Sequence, residues 1–156
     1  MARVLIVDDS PSQLLGLQRI VEKLGHQVIT AEDGAAGVET AKREIPDLIL
    51  MDVVMPNLNG YQATRQISKD PSTTHIPVIL VTTKDQETDR VWGMRQGAKA
   101  YVTKPINEAE LTETINGILG PGVLNVILAL SVVFIFGLTR LVRGAALAIR
   151  EEAFVE

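Results

Sequence analysis

The chain has 156 residues, 46% of them hydrophobic and 22% charged, and it contains no cysteine. That length suits one domain with a real core, and the missing cysteines exclude a disulfide framework, a thiolate metal site and a cysteine nucleophile. A formal charge of -4 lacks the basic footprint of a nucleic-acid binder, while a mean hydropathy of +0.19 is high for a soluble domain with this many charges.

Met1-Ala2-Arg3 leads straight into an apolar run, without the longer apolar stretch of a signal peptide, and so reads as a cytoplasmic start. Five short runs follow at Val4–Val7, Val28–Ala31, Leu48–Met51, Val78–Val81 and Ala100–Val102. Each is too short for a helix, rich in Val, Ile and Leu, and apolar at consecutive positions, as strands buried on both faces should be. Helical spacing fills the gaps. Leu14, Leu17, Ile20, Val21 and Leu24 form one stripe, Ala36, Val38, Ala41 and Ile45 a weaker one, and Leu111, Ile115, Ile118 and Leu119 the last. Ser10 before Pro11 predicts a capped helix start, Asn107 with Glu110 resembles a capping box, and Gly25 and Gly97 stand where helices should stop. Five strand–helix units in succession predict an α/β fold with a doubly wound, five-stranded parallel sheet and right-handed crossovers.

In such sheets ligands bind beyond the carboxyl ends of the strands. Asp8 and Asp9 follow the first run, Asp52 the third, Thr82 and Thr83 the fourth, and Lys104 and Pro105 the fifth. Three carboxylates in one patch repel unless a cation lies among them. Oxygen-only ligands on a wet, shallow site suit Mg²⁺, and a lysine and a hydroxyl opposite it suit the oxygens of a phosphoryl group. Each residue alone has an ordinary reading as a turn, strand or loop residue; their recurrence at successive strand ends is what points to a site.

Val4-Leu-Ile-Val-Asp-Asp-Ser10, Leu48-Ile-Leu-Met-Asp-Val-Val-Met-Pro56 with Gly60, Ile79-Leu-Val-Thr82 and Tyr101-Val-Thr-Lys-Pro105 resemble a response-regulator receiver domain. The likeness spans about residues 2–120 and is nearest to the stand-alone, CheY-like receivers of the chemosensory system controlling pilus twitching motility. It implies a flavodoxin-like sheet of order 2-1-3-4-5 and a two-component phosphorelay switch rather than a turnover enzyme, one that catalyses its own phosphorylation and dephosphorylation. By the same resemblance Asp52 is the phosphoacceptor, and Asp9, Asp52 and the backbone carbonyl of Val54 ligate Mg²⁺, with Asp8 acting mainly through water. Lys104 holds a phosphoryl oxygen, Thr82 swings toward the phosphoryl group, and Tyr101 moves inward behind it. Lys104-Pro105 is the family's cis peptide, while Pro56 and Gly60 shape the loop after Asp52. The implied partners are a histidine kinase or phosphotransfer protein, and an output protein on the face of the fourth helix, fifth strand and fifth helix. Trp92 on that helix is either a partner anchor or packed against the sheet. Two positions depart from the family's commonest pattern: Val54 often carries a polar side chain, and Thr83 is usually Ala or Gly. A competing reading, a Mg²⁺-dependent phosphatase of the haloacid-dehalogenase type, is disfavoured because position 10 is Ser and the best nucleophile follows the third run.

The high hydropathy belongs to the last 36 residues. Residues 1–120 hold 12 Lys+Arg against 16 Asp+Glu, whereas residues 121–156 hold 3 against 3. Gly120-Pro121-Gly122 breaks the chain before the apolar run Val123–Leu138, so residues 1–120 read as the receiver and 121–156 as an appended helical tail. As a helix the run would span roughly 24 Å, short of the usual ~30 Å bilayer core. The expectation is membrane contact or self-association through 123–138, at the inner membrane. Over about 34 residues the tail also resembles part of the inner-membrane permease subunit of peptide-type ABC importers. Arg140, Arg143 and Arg150 favour the cytoplasmic side for the end of the tail, and a single crossing would then strand the receiver away from its kinase. A re-entrant or interfacial placement, an oligomer, or a chance fusion would escape that conflict.

Overall fold

The computed structural model describes residues 1–120; the tail, with its expected span and its permease likeness, lies outside the described residues. Five strands alternate with five helices: β1 (Arg3–Val7), α1 (Pro11–Lys23), β2 (Gln27–Ala31), α2 (Gly34–Glu44), β3 (Leu48–Met51), α3 (Gly60–Lys69), β4 (Val78–Thr82), α4 (Glu87–Arg95), β5 (Ala100–Thr103) and α5 (Glu108–Leu119). The strands form one parallel sheet in the order β2-β1-β3-β4-β5. Among the described residues no helix is long and apolar enough to cross a membrane.

The consecutive apolar positions of the strands are explained by the two cores they separate. Leu5, Val7, Ile49, Met51, Val78 and Leu80 point to the side covered by α2 and α3, where Val38, Ala41, Ala63 and Ile67 meet them. Val4, Ile6, Leu48, Leu50, Ile79 and Val81 point to the other, against Leu17 and Val21 of α1 and Leu111 and Ile115 of α5. Every side chain of β3 is buried, and each Leu or Ile so placed is worth about 2 kcal/mol relative to exposure.

Helix ends depart from the sequence expectation in three places. Ser10 is the N-cap of α1 but makes no capping hydrogen bond; its hydroxyl faces that of Ser12 at 3.2 Å, and Pro11 at the first helical position starts the helix. Asn107 does accept from the Glu110 amide, 3.2 Å, but Glu110 does not reach back, so the box is only half made. The complete capping box is at α3, where Asn59 and Gln62 exchange bonds of 2.9 and 3.0 Å. Ile45 is not part of the α2 stripe either. It lies just past the helix as its left-handed C-cap, φ 44°, 40% exposed, a conformation costly for a β-branched residue. Gly25 and Gly97 stand at positive φ, 88° and 109°, just after α1 and α4 as expected.

Gly60 is the one glycine on which the site's geometry hangs. A Cβ there would lie 2.1 Å from the Asp52 carbonyl oxygen and 2.8 Å from Val53 Cα, both backbone. Gly60→Ala should therefore cost roughly 3 kcal/mol, read as a lower urea midpoint. Gly16→Ala on α1, where nothing lies within 4 Å of the added carbon, should instead leave stability equal or raise it by up to about 1 kcal/mol.

Candidate functional site

Strand register builds the site. Val7 pairs with Met51, so Asp8 and Asp52, the next residue on each strand, leave the sheet side by side. Thr82 pairs with Thr103, which brings Lys104 to the same edge, and the Lys104 amide donates to the Thr82 carbonyl at 2.8 Å. Asp8 is held from two sides: its amide donates to the Ala31 carbonyl at 3.1 Å, and its carboxylate accepts from the Ser10 amide at 2.9 Å.

Asp8, Asp9 and Asp52 each present a carboxylate oxygen within 4.8 Å of the other two. Asp8 and Asp52 are buried, Asp9 exposed. The Lys104 ammonium lies 3.0 Å from Asp8 Oδ2 and 3.5 Å from Asp52 Oδ1, with its side chain only 9% exposed. Gln13 Oε1 is a further acceptor for the same ammonium. Burial pushes the Asp52 carboxyl above its usual value; Lys104 pulls it down and the charge of Asp8 pushes it up again. One cation against three acids leaves the cluster short of positive charge. Clustered hard oxygen donors, partly buried and open on the Asp9 side, fit a small divalent cation such as Mg²⁺.

The remaining expected residues take their places around this corner. Thr82 is fully buried at the end of β4, its hydroxyl accepting from the Lys84 amide at 3.3 Å. The Lys104-Pro105 peptide is cis. Val54 is 55% exposed and lines a shallow cavity of about 320 Å³ with Asn59, Tyr61 and Lys84. Pro56 is exposed, and Gly60 abuts the Asp52 backbone. Tyr101 is already inward, 5% exposed; burial, and then the hydroxyl of Tyr61, push its phenol above the ordinary value. Trp92 is 49% exposed, while its neighbour Gly93 is the residue that packs on the sheet, which settles the choice the sequence left open against sheet packing. Sequence reasoning passed over Gln13, Tyr61 and Lys84. Only Tyr61 carried a signal, standing next to Gly60.

The response regulator receiver domain model matches residues 4–116, nearly the whole described unit. The chain belongs to the response regulator receiver family. It is 61% identical over 119 residues to Protein PilH of Pseudomonas aeruginosa, covering 76% of this chain and 98% of that one. It is 40% identical over 110 residues to the response regulator PleD of Caulobacter vibrioides, but spans only 24% of that protein's length against 70% of its own. Among solved structures, the receiver domain of sensor histidine kinase PA1611 from P. aeruginosa, with magnesium coordinated in its active-site cleft, matches with a TM-score of 0.71 at 32% identity. That match covers 76% of this chain and 98% of the other. Vibrio cholerae CheY4 matches with a TM-score of 0.72 at 29% identity, covering 76% of this chain and 99% of that one. This receiver is thus a module of two-component phosphorelay signalling with the flavodoxin-like, CheY-like fold. The phosphatase alternative is not favoured, and the permease likeness of residues 121–156 has no support in these matches.

Proposed function

We propose that the chain is a Mg²⁺-dependent phosphoacceptor switch in which Asp52 takes a phosphoryl group from the phosphohistidine of a kinase or phosphotransfer protein. The observation that carries this is the convergence of Asp8, Asp9 and Asp52 within 4.8 Å, with Lys104 on two of them, at the carboxyl edge of the sheet. A carboxylate oxygen of Asp52 attacks phosphorus in line as the phosphorus–nitrogen bond of the donor breaks, and the imidazole leaves with its electron pair. Lys104, released from Asp52, holds an equatorial oxygen of the transferring group. Asp9, Asp52 and the Val54 carbonyl would hold Mg²⁺, with Asp8 through water. When bound, the ion offsets the charge of the phosphoryl oxygens. The acyl phosphate adds nearly two negative charges, and the Thr82 hydroxyl turns toward it, biasing the surface of α4, β5 and α5 toward an output partner. Phosphorylation of wild type against an Asp52 variant tests the assignment.

The identity to PilH over 98% of its length supports the finer reading, a stand-alone receiver of the pilus chemosensory system working in the cytoplasm. Residues 1–120 form the receiver in this reading and 121–156 an extension. Membrane contact or self-association is assigned to the extension on its uncharged apolar run alone.

Val54 stands at the lip of the site and cannot hydrogen-bond a hydrolytic water. The phosphoryl group should therefore be long-lived, with restricted access for small donors. Val54→Asn, which restores a polar side chain, should shorten its lifetime severalfold in a dephosphorylation time course. Loss as slow in the variant as in wild type would count against the role of Val54.

A further inference from the structure

Two tyrosines from different elements meet behind the site. Tyr61, the residue after Gly60 at the start of α3, and Tyr101 of β5 bring their hydroxyl oxygens to 3.3 Å. The Tyr101 hydroxyl donates to the Lys84 carbonyl at 2.7 Å. Each phenol has one proton. With that of Tyr101 committed to Lys84, Tyr61 is the donor of the pair, sharing its proton between the Tyr101 oxygen and the Asp89 carbonyl at 3.2 Å. Both residues are nearly buried, Tyr61 at 9% exposure and Tyr101 at 5%. The Tyr101 ring is also closed in by α4: the Arg90 guanidinium stands 5.3 Å from its centroid and donates to the Tyr101 carbonyl at 3.3 Å. A Cβ on Gly93 would lie 3.1 Å from the same ring.

The neighbours of Tyr61 give this contact its direction. Gly60 is pressed on the Asp52 and Val53 backbone, so Tyr61 is seated by the segment that carries the acceptor. Its hydroxyl reaches Asp89 on α4 and Tyr101 on β5, the elements of the expected output face. Thr82 and Lys84 are joined by their own hydrogen bond, so the carbonyl that holds Tyr101 belongs to the loop that Thr82 begins.

We propose that Tyr61 is a positioning residue of the switch: its hydroxyl holds Tyr101 inward and ties the Asp52 segment to α4. Part of the rearrangement attributed to phosphorylation is then in place before Asp52 is modified. The role rests on the phosphoacceptor reading of the site above. Without the Tyr61 hydroxyl, Tyr101 keeps its bond to Lys84 but loses a partner, and its inward state must be populated before a phosphoryl group can exploit it.

The test uses the full chain labelled with ring-¹³C tyrosine, in which Tyr61 and Tyr101 are the only reporters, with Mg²⁺ and beryllofluoride as the phosphoryl mimic. In Tyr61→Phe, which keeps the ring, the Tyr101 signal should move toward that of an exposed tyrosine and return on adding beryllofluoride. Beryllofluoride should bind about threefold more weakly than to wild type, the loss expected for one hydrogen bond biasing a two-state equilibrium. Tyr101→Phe gives a second arm and should weaken beryllofluoride binding by a similar factor. If Tyr101 in Tyr61→Phe stays where it is in wild type and beryllofluoride affinity is unchanged, Tyr61 merely packs and the proposal is overturned. In a second, ¹⁵N-labelled sample, wild-type protein whose Asp52 and Thr82 amide signals ignore beryllofluoride would overturn the phosphoacceptor reading itself, an outcome told apart because it needs no variant.

Discussion

Asp52→Asn will accept no phosphoryl group from a kinase or a small phosphodonor, and at neutral pH it will unfold at a higher temperature than wild type. The first half follows from position. Asp8 is engaged by the Ser10 amide and by Lys104 and Asp9 is exposed at the edge, whereas Asp52 directly follows the central strand β3, with Lys104 3.5 Å away. The second half follows from sign. Burial raises the folded-state pKa of Asp52 above its unfolded value, so the folded protein binds that proton more tightly than the unfolded chain does. Stability is therefore lost as pH rises from the unfolded carboxylate value through the raised one. The variant's carboxamide has no proton to lose. Its advantage should be full above that window and vanish below it, in thermal melts run across pH without divalent cation. Mg²⁺ should raise the melting temperature of wild type more than that of the variant. Phosphorylation of Asp52→Asn at wild-type stoichiometry would remove Asp52 as the acceptor, and a melting temperature below wild type at neutral pH would remove the electrostatic account.

The opposite sign is expected at Lys104. Lys104→Met keeps most of the side-chain volume but leaves Asp8 and Asp52 buried beside each other with no cation between them. Removing one partner from a buried ion pair costs about 3 kcal/mol, and here two acids lose the same partner. The variant should melt well below wild type at neutral pH, and should recover part of the loss when the carboxylates are protonated by acid or a divalent cation is added. Phosphorylation should slow by about a hundredfold or more, the scale for removing one preorganised charge from a transition state. A Lys104→Met protein as stable as wild type, with a normal phosphorylation rate, would refute both roles. Lys104→Arg is expected to be a poor substitute, because a planar fork does not fill a site built for a point charge.

Strands β1, β3 and β4 were legible because both their faces are buried. Strand β2, exposed or half-buried up to Ala31, lies at the sheet edge and was legible only from its short apolar run. A run such as Leu48–Met51 has no polar position, and each predicted run lies within one residue of the observed strand at either end. The acidic corner was legible because parallel register makes residues after neighbouring strands neighbours. Helices α3 and α4 left no apolar stripe to read. In α3 the buried face includes Thr64, its hydroxyl satisfied by the Gly60 carbonyl at 2.7 Å. In α4 only Gly93 is buried, and the apolar Val91, Trp92 and Met94 face outward. Ile45 was misread because periodicity carries no information on φ. The Tyr61–Tyr101 pair was invisible because its members lie 40 residues apart on elements brought together only by the fold.

Trp92 gives the protein a built-in dye. It is the only tryptophan, it is about half exposed, and it sits two residues from Arg90, which covers the ring of Tyr101. Indole emission therefore reports from a single place, the exposed side of α4. Anything that shifts α4 or covers that face changes the polarity around one indole, and red-edge excitation leaves the two tyrosines out of the signal. Cation titrations, phosphorylation time courses and partner binding can all be followed by that emission without attaching a label or altering a residue.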